Sequence, residues 1–181
     1  MSIPGPHLHW AIAAEGRAIV LPDGACAVVR TLANGEAAAV REVFDGMSER
    51  SRYARFGGAK PILSRRELDR LTAIDHDDHE VLVALDPETG RAVAEAHLVR
   101  DKTNRGVGEV AFAVADAWQG RCLGSRLAEL LASRARELGI HRLRAHMLSD
   151  NSRSRALMRR MGRVAAHRYE RGALEVEVAL D

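Results

Sequence analysis

The stretch Glu109–Gly124, EVAFAVADAWQGRCLG, is where residue types and spacing suggest chemistry. An apolar run of strand character ends, a short loop holding Gly120 follows, and a helical period begins near Leu123. The first turn of a helix carries backbone N–H groups with no partner inside the helix. Its aligned peptide dipoles add positive potential, so such a junction suits a phosphate or pyrophosphate. Gly120 and Gly124 keep side chains out of a ligand's way, while Arg121 and Arg126 add positive charge beside it. The pattern is neither G-x-G-x-x-G nor the phosphate loop that ends in Gly-Lys-Ser/Thr. Taken alone, it serves equally well as a helix start built from small residues.

Other candidates carry less. Cys122 invites a nucleophile reading, but no His accompanies it in sequence, and packing is the simpler role. Asp75-His-Asp-Asp-His79 has the residue types of a metal site without a recognisable ligand spacing. Solvated loop carboxylates fit it better, with attraction of a cationic acceptor as a further role. Trp118 reads as packing, and His141 and His146 as ordinary strand residues.

Stepping along the chain places these residues. Residues 1–25, with Pro4, Gly5, Pro6, Gly16, Pro22 and Gly24, read as an N-terminal extension, and residues 26–181 as one domain. Ala25–Thr31 is a strand pattern. Asn34 offers a cap for a helix running to Phe44, and Ser48 one for the next. Ser64-Arg-Arg-Glu67 is a capping box opening a helix that bears Leu68, Leu71 and Ile74. Glu80–Leu85, Ala92–Val99 and Gly108–Ala115 follow as strands separated by turn residues. Leu123, Leu127, Leu130, Leu131, Ala135 and Leu138 then fall at helical spacing, ending at Gly139. A strand over 140–148, a helix over 151–161 closed by Gly162, and a hairpin around Arg171-Gly172 complete the chain. Antiparallel strands first, then β-α-β-α-β-β, describe a mixed α/β sheet.

Composition sets the outer bounds. The chain has 181 residues, 46% of them hydrophobic and only 4% aromatic, so its core is built from Ala, Val and Leu. The net charge of +2 rests on arginine, since Lys60 and Lys102 are the only lysines. A nucleic-acid surface would carry a concentrated basic stripe with interleaved aromatics. The run Arg153, Arg155, Arg159, Arg160, Arg163 has no aromatic until Tyr169, which speaks against nucleic acid as a partner. Cys26 and Cys122 suggest neither a disulfide framework nor a zinc site. The N-terminus lacks a signal-peptide pattern and no apolar run reaches membrane-span length, so a cytoplasmic location is expected and a membrane partner is not.

The loop Gln119-Gly-Arg-Cys-Leu-Gly124 resembles the Gln/Arg-x-x-Gly-x-Gly/Ala signature of the GNAT acetyltransferase family. Asn151 through Leu157, with Gly162 beyond, resembles that family's Asn-x-x-x-x-x-Leu element, and the likeness extends from about residue 25 to the end. Upstream, Met47–Phe56 with Glu67–Thr72 and Asp75 is similar to the acetyltransferase domain of bacterial Pat-type protein lysine acetyltransferases. The resemblance implies a mostly antiparallel central sheet flanked by helices, and acetyl-CoA as co-substrate with no metal. It implies that Gln119, Gly120, Arg121, Cys122, Leu123, Gly124 and Ser125 hold the pyrophosphate. It also implies that backbone amides of Phe112, Ala113 and Val114 pair with the pantetheine, joined by Asn151, whose other role is a helix cap. Glu109 stands where similar enzymes place a catalytic glutamate, and by alternation it shares a face with Ala111 and Ala113. A solvated strand carboxylate is the other reading of Glu109.

Three positions depart from the family pattern. Cys122 replaces the first glycine of the signature, a substitution the loop tolerates where φ is negative. Met158 falls near the family's frequent acidic tyrosine, and Arg163 replaces an aromatic. The expected function is direct transfer of an acetyl group to an amine, either of protein lysine or of a small molecule. The alternative is a noncatalytic acyl-CoA-binding regulatory domain. The sequence leaves the acceptor open, and a homodimer as well.

Overall fold

Runs of β-branched and small residues form the strands, and leucines at helical spacing form the helices that cover them. A computed structural model describes residues 16–170 and 172–180; the expectations for the first fifteen residues and for Arg171 lie outside the described residues. In chain order the elements are β1 (Arg17–Val20), β2 (Cys26–Thr31), α1 (Ala37–Asp45), α2 (Glu49–Phe56), α3 (Arg65–Leu71), β3 (His79–Leu85) and β4 (Ala92–Arg100). There follow β5 (Val107–Val114), a 3₁₀ turn at Asp116–Trp118, α4 (Leu123–Glu137), β6 (Arg142–Leu148), α5 (Ser152–Met161), β7 (Arg163–Glu170) and β8 (Ala173–Ala179). One sheet runs in the order β1-β2-β3-β4-β5-β6-β8-β7. Each neighbouring pair is antiparallel except β5–β6, which is parallel.

Helices cover both faces of the sheet, which is why β3 and β4 are buried at nearly every position instead of alternating between buried and exposed. On one face Leu127 and Leu131 of α4 and Met158 and Met161 of α5 pack on Ala94, Ala96 and Leu98. Complete burial of a leucine such as Leu131 contributes about 1.5–3 kcal/mol. On the other face Val40, Val43 and Phe44 of α1 and Leu68 of α3 pack on Val81 and Val83. No residue of α2 is fully buried. That helix is held by its ends: Ser48 caps its start, Gly57 stops it at φ +71, and its Phe56 ring lies 5.9 Å from Phe44.

Some expectations need correction. The sheet starts before residue 26, because β1 pairs with β2 and Leu21 is buried in the main core. The first helix is capped at Glu36 without a side-chain bond, and Asn34 instead accepts from the Ile74 amide across the fold. Ile74 lies beyond the end of α3 yet is buried with its face. The capping box at Ser64 and Glu67 forms as expected. Met158 is 1% exposed, so a side chain there meets the core and no ligand.

Gly162 shows why its position demands glycine. A Cβ there would sit 2.2 Å from the Ala179 carbonyl oxygen on β8. The requirement is one of space, since its backbone is extended.

Candidate functional site

The site is organised by β5, whose neighbours differ at its two ends. Toward β4 it is paired along its length, from Arg100↔Gly108 to Ala94↔Val114. Toward β6 it is paired only at Val107↔Arg142, Gly108↔Leu143 and Glu109↔Arg144. Beyond Glu109 the two strands part, and β6 continues paired to β8 alone. Ala115 donates to the Val93 carbonyl, so the odd-numbered backbone groups of this stretch face β4 and the even-numbered ones face the opening. The groups turned to the opening are therefore those of Phe112 and Val114. Ala113 is paired with Glu95 and contributes only a small side chain.

The glycine loop follows at the carboxyl end of β5. Among the described residues no acceptor meets the backbone amides of residues 120–125, and α4 begins directly behind them. Gly120 has φ +75 with open space where a Cβ would stand. At Gly124 a Cβ would meet Leu157 and Val114 at 3.6–3.7 Å, ordinary contact, so its smallness matters for a ligand more than for packing. Cys122 has φ +67, contrary to the negative φ expected, and it is the left-handed N-cap of α4. A non-glycine residue held there costs roughly 1–2 kcal/mol. Its thiol is exposed, and no histidine meets it among the described residues.

The side chains around the loop are mostly engaged within the chain. Gln119 points inward: its Nε2 donates to the Val114 carbonyl, to Asp116 and to Ser51, each at 3.0 Å. Its Oε1 accepts from Arg153 of α5 at 2.7 Å. Gln119 thus braces the loop against two helices. Arg121 donates to Asp23 at 2.5 Å and stacks 4.7 Å from the Trp118 ring centroid. That bond holds the Asp23 carboxyl below its usual range. Arg126 pairs with Glu129. Leu123 is buried in the core, and Ser125 lies in the first turn of α4. Asn151 caps α5 by accepting from the Ser154 amide at 3.0 Å.

At the opposite end of β5 lies a cavity of about 420 Å³ on the α1–α3 face. Leu71, Val99, Val110 and Ala111 line its apolar wall, and Glu109 stands exposed within it. The expected sharing of a face by Glu109 and Ala111 is observed. The remaining lining is ionisable: Arg55, Arg70, Lys102, His79 and His97.

Behind that wall runs a buried array that sequence reasoning missed. Glu95 and His97 are both 3% exposed on β4, with Glu95 Oε1 3.3 Å from His97 Nε2. His97 Nδ1 lies 3.3 Å from His79 Nε2, and His79 Nδ1 lies 3.0 Å from the Ala73 carbonyl oxygen. The carbonyl can only accept, so His79 carries its proton on Nδ1 and offers Nε2 as acceptor. His97 then donates through Nδ1, while its Nε2 and Glu95 Oε2 are buried without a hydrogen-bond partner. Burial pushes the Glu95 carboxyl up, but the neighbouring His97 and the charge of Arg55 outweigh that and hold it below its usual range. Burial and the neighbouring His97 both push His79 down. The only signal in the sequence is the alternation Glu95-x-His97 on a strand, which does not reveal which face is buried.

The carboxylates of the acidic loop are bonded within the chain. Asp75 Oδ1 accepts three backbone amides, from residues 77, 78 and 79. Asp77 pairs with Arg100 and Arg105, and Asp78 with Arg105. These carboxylates fasten the loop to the end of β4. Among the described residues no group of three or more metal-ligating side chains is assembled, and no helix is long and apolar enough to cross a membrane.

Comparison with known proteins agrees with this geometry. The pattern of the acetyltransferase (GNAT) family matches residues 47–162. Acetyltransferase Pat of Mycolicibacterium smegmatis is 37% identical over 131 residues, 72% of this chain. The chain spans 39% of the length of that curated relative. The crystal structure of the GNAT domain of S. lividans PAT superposes with a TM-score of 0.82 at 30% identity, covering 92% of this chain and 98% of that one. The structure of yncA from Salmonella typhimurium with its cofactor acetyl-CoA has a TM-score of 0.67 over 86% of this chain and 94% of that one. At 22% identity it speaks for the fold alone.

Proposed function

We infer that this chain, which belongs to the acetyltransferase (GNAT) family, transfers an acetyl group from acetyl-CoA directly to an amine. The observation that carries this reading is the juxtaposition along β5 of unpartnered loop amides, an open strand edge and the cavity around Glu109. The amides of residues 120–125 fit a pyrophosphate, since the donors are unspent and the dipole of α4 adds to them. Phe112, and Val114 through its amide, present backbone groups along the parted strands and fit the amide-bearing pantetheine arm; the Val114 carbonyl is taken by Gln119. When bound, acetyl-CoA supplies an activated thioester carbonyl.

The chain's own residues would manage the amine. An ordinary ammonium near pKa 10.4 must lose a proton before it can attack. Glu109 is the carboxylate in the cavity free to take it, as no cation is bonded to it among the described residues. As the C–N bond forms and the C–S bond breaks, that proton passes through Glu109 to solvent, and the thiolate leaves to be protonated as free CoA. Ala111 beside Glu109 leaves room for the acceptor.

Cys122 favours a second reading, a domain that binds acyl-CoA without turnover, because its left-handed backbone strains the loop. Calorimetric titration with acetyl-CoA and CoA, followed by thiol release across an amine panel, tests both. Micromolar binding with thiol release supports the transferase. Binding without release supports the second reading, and no binding to either nucleotide removes both.

A further inference from the structure

Several arginines of this chain lie against carboxylates: Arg30 on Glu36, Arg100 on Asp77, Arg121 on Asp23, Arg134 on Glu80, Arg142 on Glu177. The cavity at Glu109 is lined by cations that make no such pair. Arg55 of α2, Arg70 of α3 and Lys102 after β4 line it, and among the described residues none of them has a carboxylate or carbonyl within bonding distance. Arg55 is half-buried with its Nε wholly buried and unaccepted; its guanidinium carbon lies 5.1 Å from the Phe56 ring centroid, and the carboxylates of Glu95 and Glu109 are near enough to act on its charge without bonding it. An unsatisfied buried donor costs about 1–3 kcal/mol, more when charged, which a folded protein retains where a ligand supplies the acceptor.

The charge balance of the lining has a clear sign. Three cations face two carboxylates, Glu109 in the lining and the buried Glu95 behind it, which acts on Arg55. Arg144, which neighbours Glu109 across β6, is paired to Asp101. A concave wall of low dielectric focuses the remaining positive potential. An isolated lysine side chain entering such a cavity meets repulsion from three cations and attraction at Glu109, with Glu95 buried out of its reach. An amine that also carries an anionic group meets complementary charge at both ends.

Resting on the transferase reading, we propose that the acceptor is a small amine bearing its own carboxylate, with the amine at Glu109 and the carboxylate held by Arg55, Arg70 and Lys102. The 420 Å³ of space admits a molecule of amino-acid size and lies within the range of small-ligand sites. The apolar patch of Leu71 and Val99 suits a hydrocarbon portion between the two ends. A basic protein segment is the occupant this field disfavours.

The test titrates the CoA-saturated protein with L-methionine, L-glutamate and 4-aminobutyrate, each against its carboxamide, and with a lysyl peptide blocked at both termini. Each carboxylate that binds is expected to bind about tenfold or more tightly than its carboxamide. The gap should narrow in Arg55→Gln and, more modestly, in Arg70→Gln and Lys102→Gln, which sit on the exposed rim and keep the test open if Arg55→Gln fails to fold. Raising ionic strength should narrow it too. Carboxamides or the lysyl peptide binding as tightly, no binding by any carboxylate at millimolar concentration, or an unchanged gap in all the variants would overturn the proposal. Failure of the transferase reading is seen separately, as absence of acetyl-CoA binding or of thiol release, because the preference can also be read on the protein without CoA.

Discussion

The two ends of β5 use different chemistry. At the carboxyl end, residues 120–125 offer backbone amides in one contiguous stretch, while Gln119 is braced, Arg121 paired and Leu123 buried. At the amino end the backbone is fully engaged, and the cavity is made by side chains from α2, α3, β3, β4 and β5. Changes at the loop end should therefore act through backbone conformation and be modest. Changes at the cavity end remove whole charges and should be severe.

The sharpest break of that contrast is Glu109→Gln. Thiol release should fall about 10²–10⁴-fold while the calorimetric Kd for acetyl-CoA stays within about twofold. Unchanged turnover would remove Glu109 from its role. Next comes Glu95→Ala, which takes the buried carboxylate away from His97 and Arg55 and should cost about 3–5 kcal/mol in denaturant unfolding. Replacing Glu95 and His97 together by Leu and Phe should recover most of that. At the loop end, Cys122→Gly relieves a left-handed residue and should stabilise by up to about 1 kcal/mol, since glycine gives back part of the gain in chain entropy. It should also tighten acetyl-CoA binding; weaker binding would mean the cysteine is adapted to its place.

The smallest effects are those of pH. Glu67, bonded by Lys60 and capped to Ser64, is held down to about 2 from an ordinary 4.5. A depressed carboxyl contributes stability that is complete above 4.5 and disappears as pH falls toward 2. An NMR titration of Glu67 checks the midpoint. His79 is also shifted down, so the unfolded chain takes up its proton first, and stability should decline as pH drops below the ordinary 6.5. At the loop end no comparable acid loss is expected from Gly120–Ser125, where the donors are backbone amides.

Much of this architecture is legible in local pattern. The capping box at Ser64, the helical leucines of α4 and the alternation that puts Glu109 beside Ala111 depend on neighbours a few residues away, and each is found as read. Gly162 was visible as a position without a reason. The reason is the Ala179 carbonyl 17 residues on, a contact that only pairing of β7 with β8 creates. Asn34 illustrates the opposite error: a good capping residue is drawn to a partner 40 residues away, at Ile74.

The sequence by itself determined the order and type of the elements from β2 onward and the position of the loop, because hydrophobic period, turn residues and helix ends are short-range properties. Tertiary structure alone decided that β5 and β6 part beyond Glu109, that Cys122 is left-handed, and that Glu95, His97 and His79 share a buried face. It also decided that Asp77 and Asp78 are paired to arginines while, among the described residues, Arg55, Arg70 and Lys102 make no ion pair. Electrostatic partnership depends on distance in space and on exclusion of water, and neither can be read from spacing along a chain.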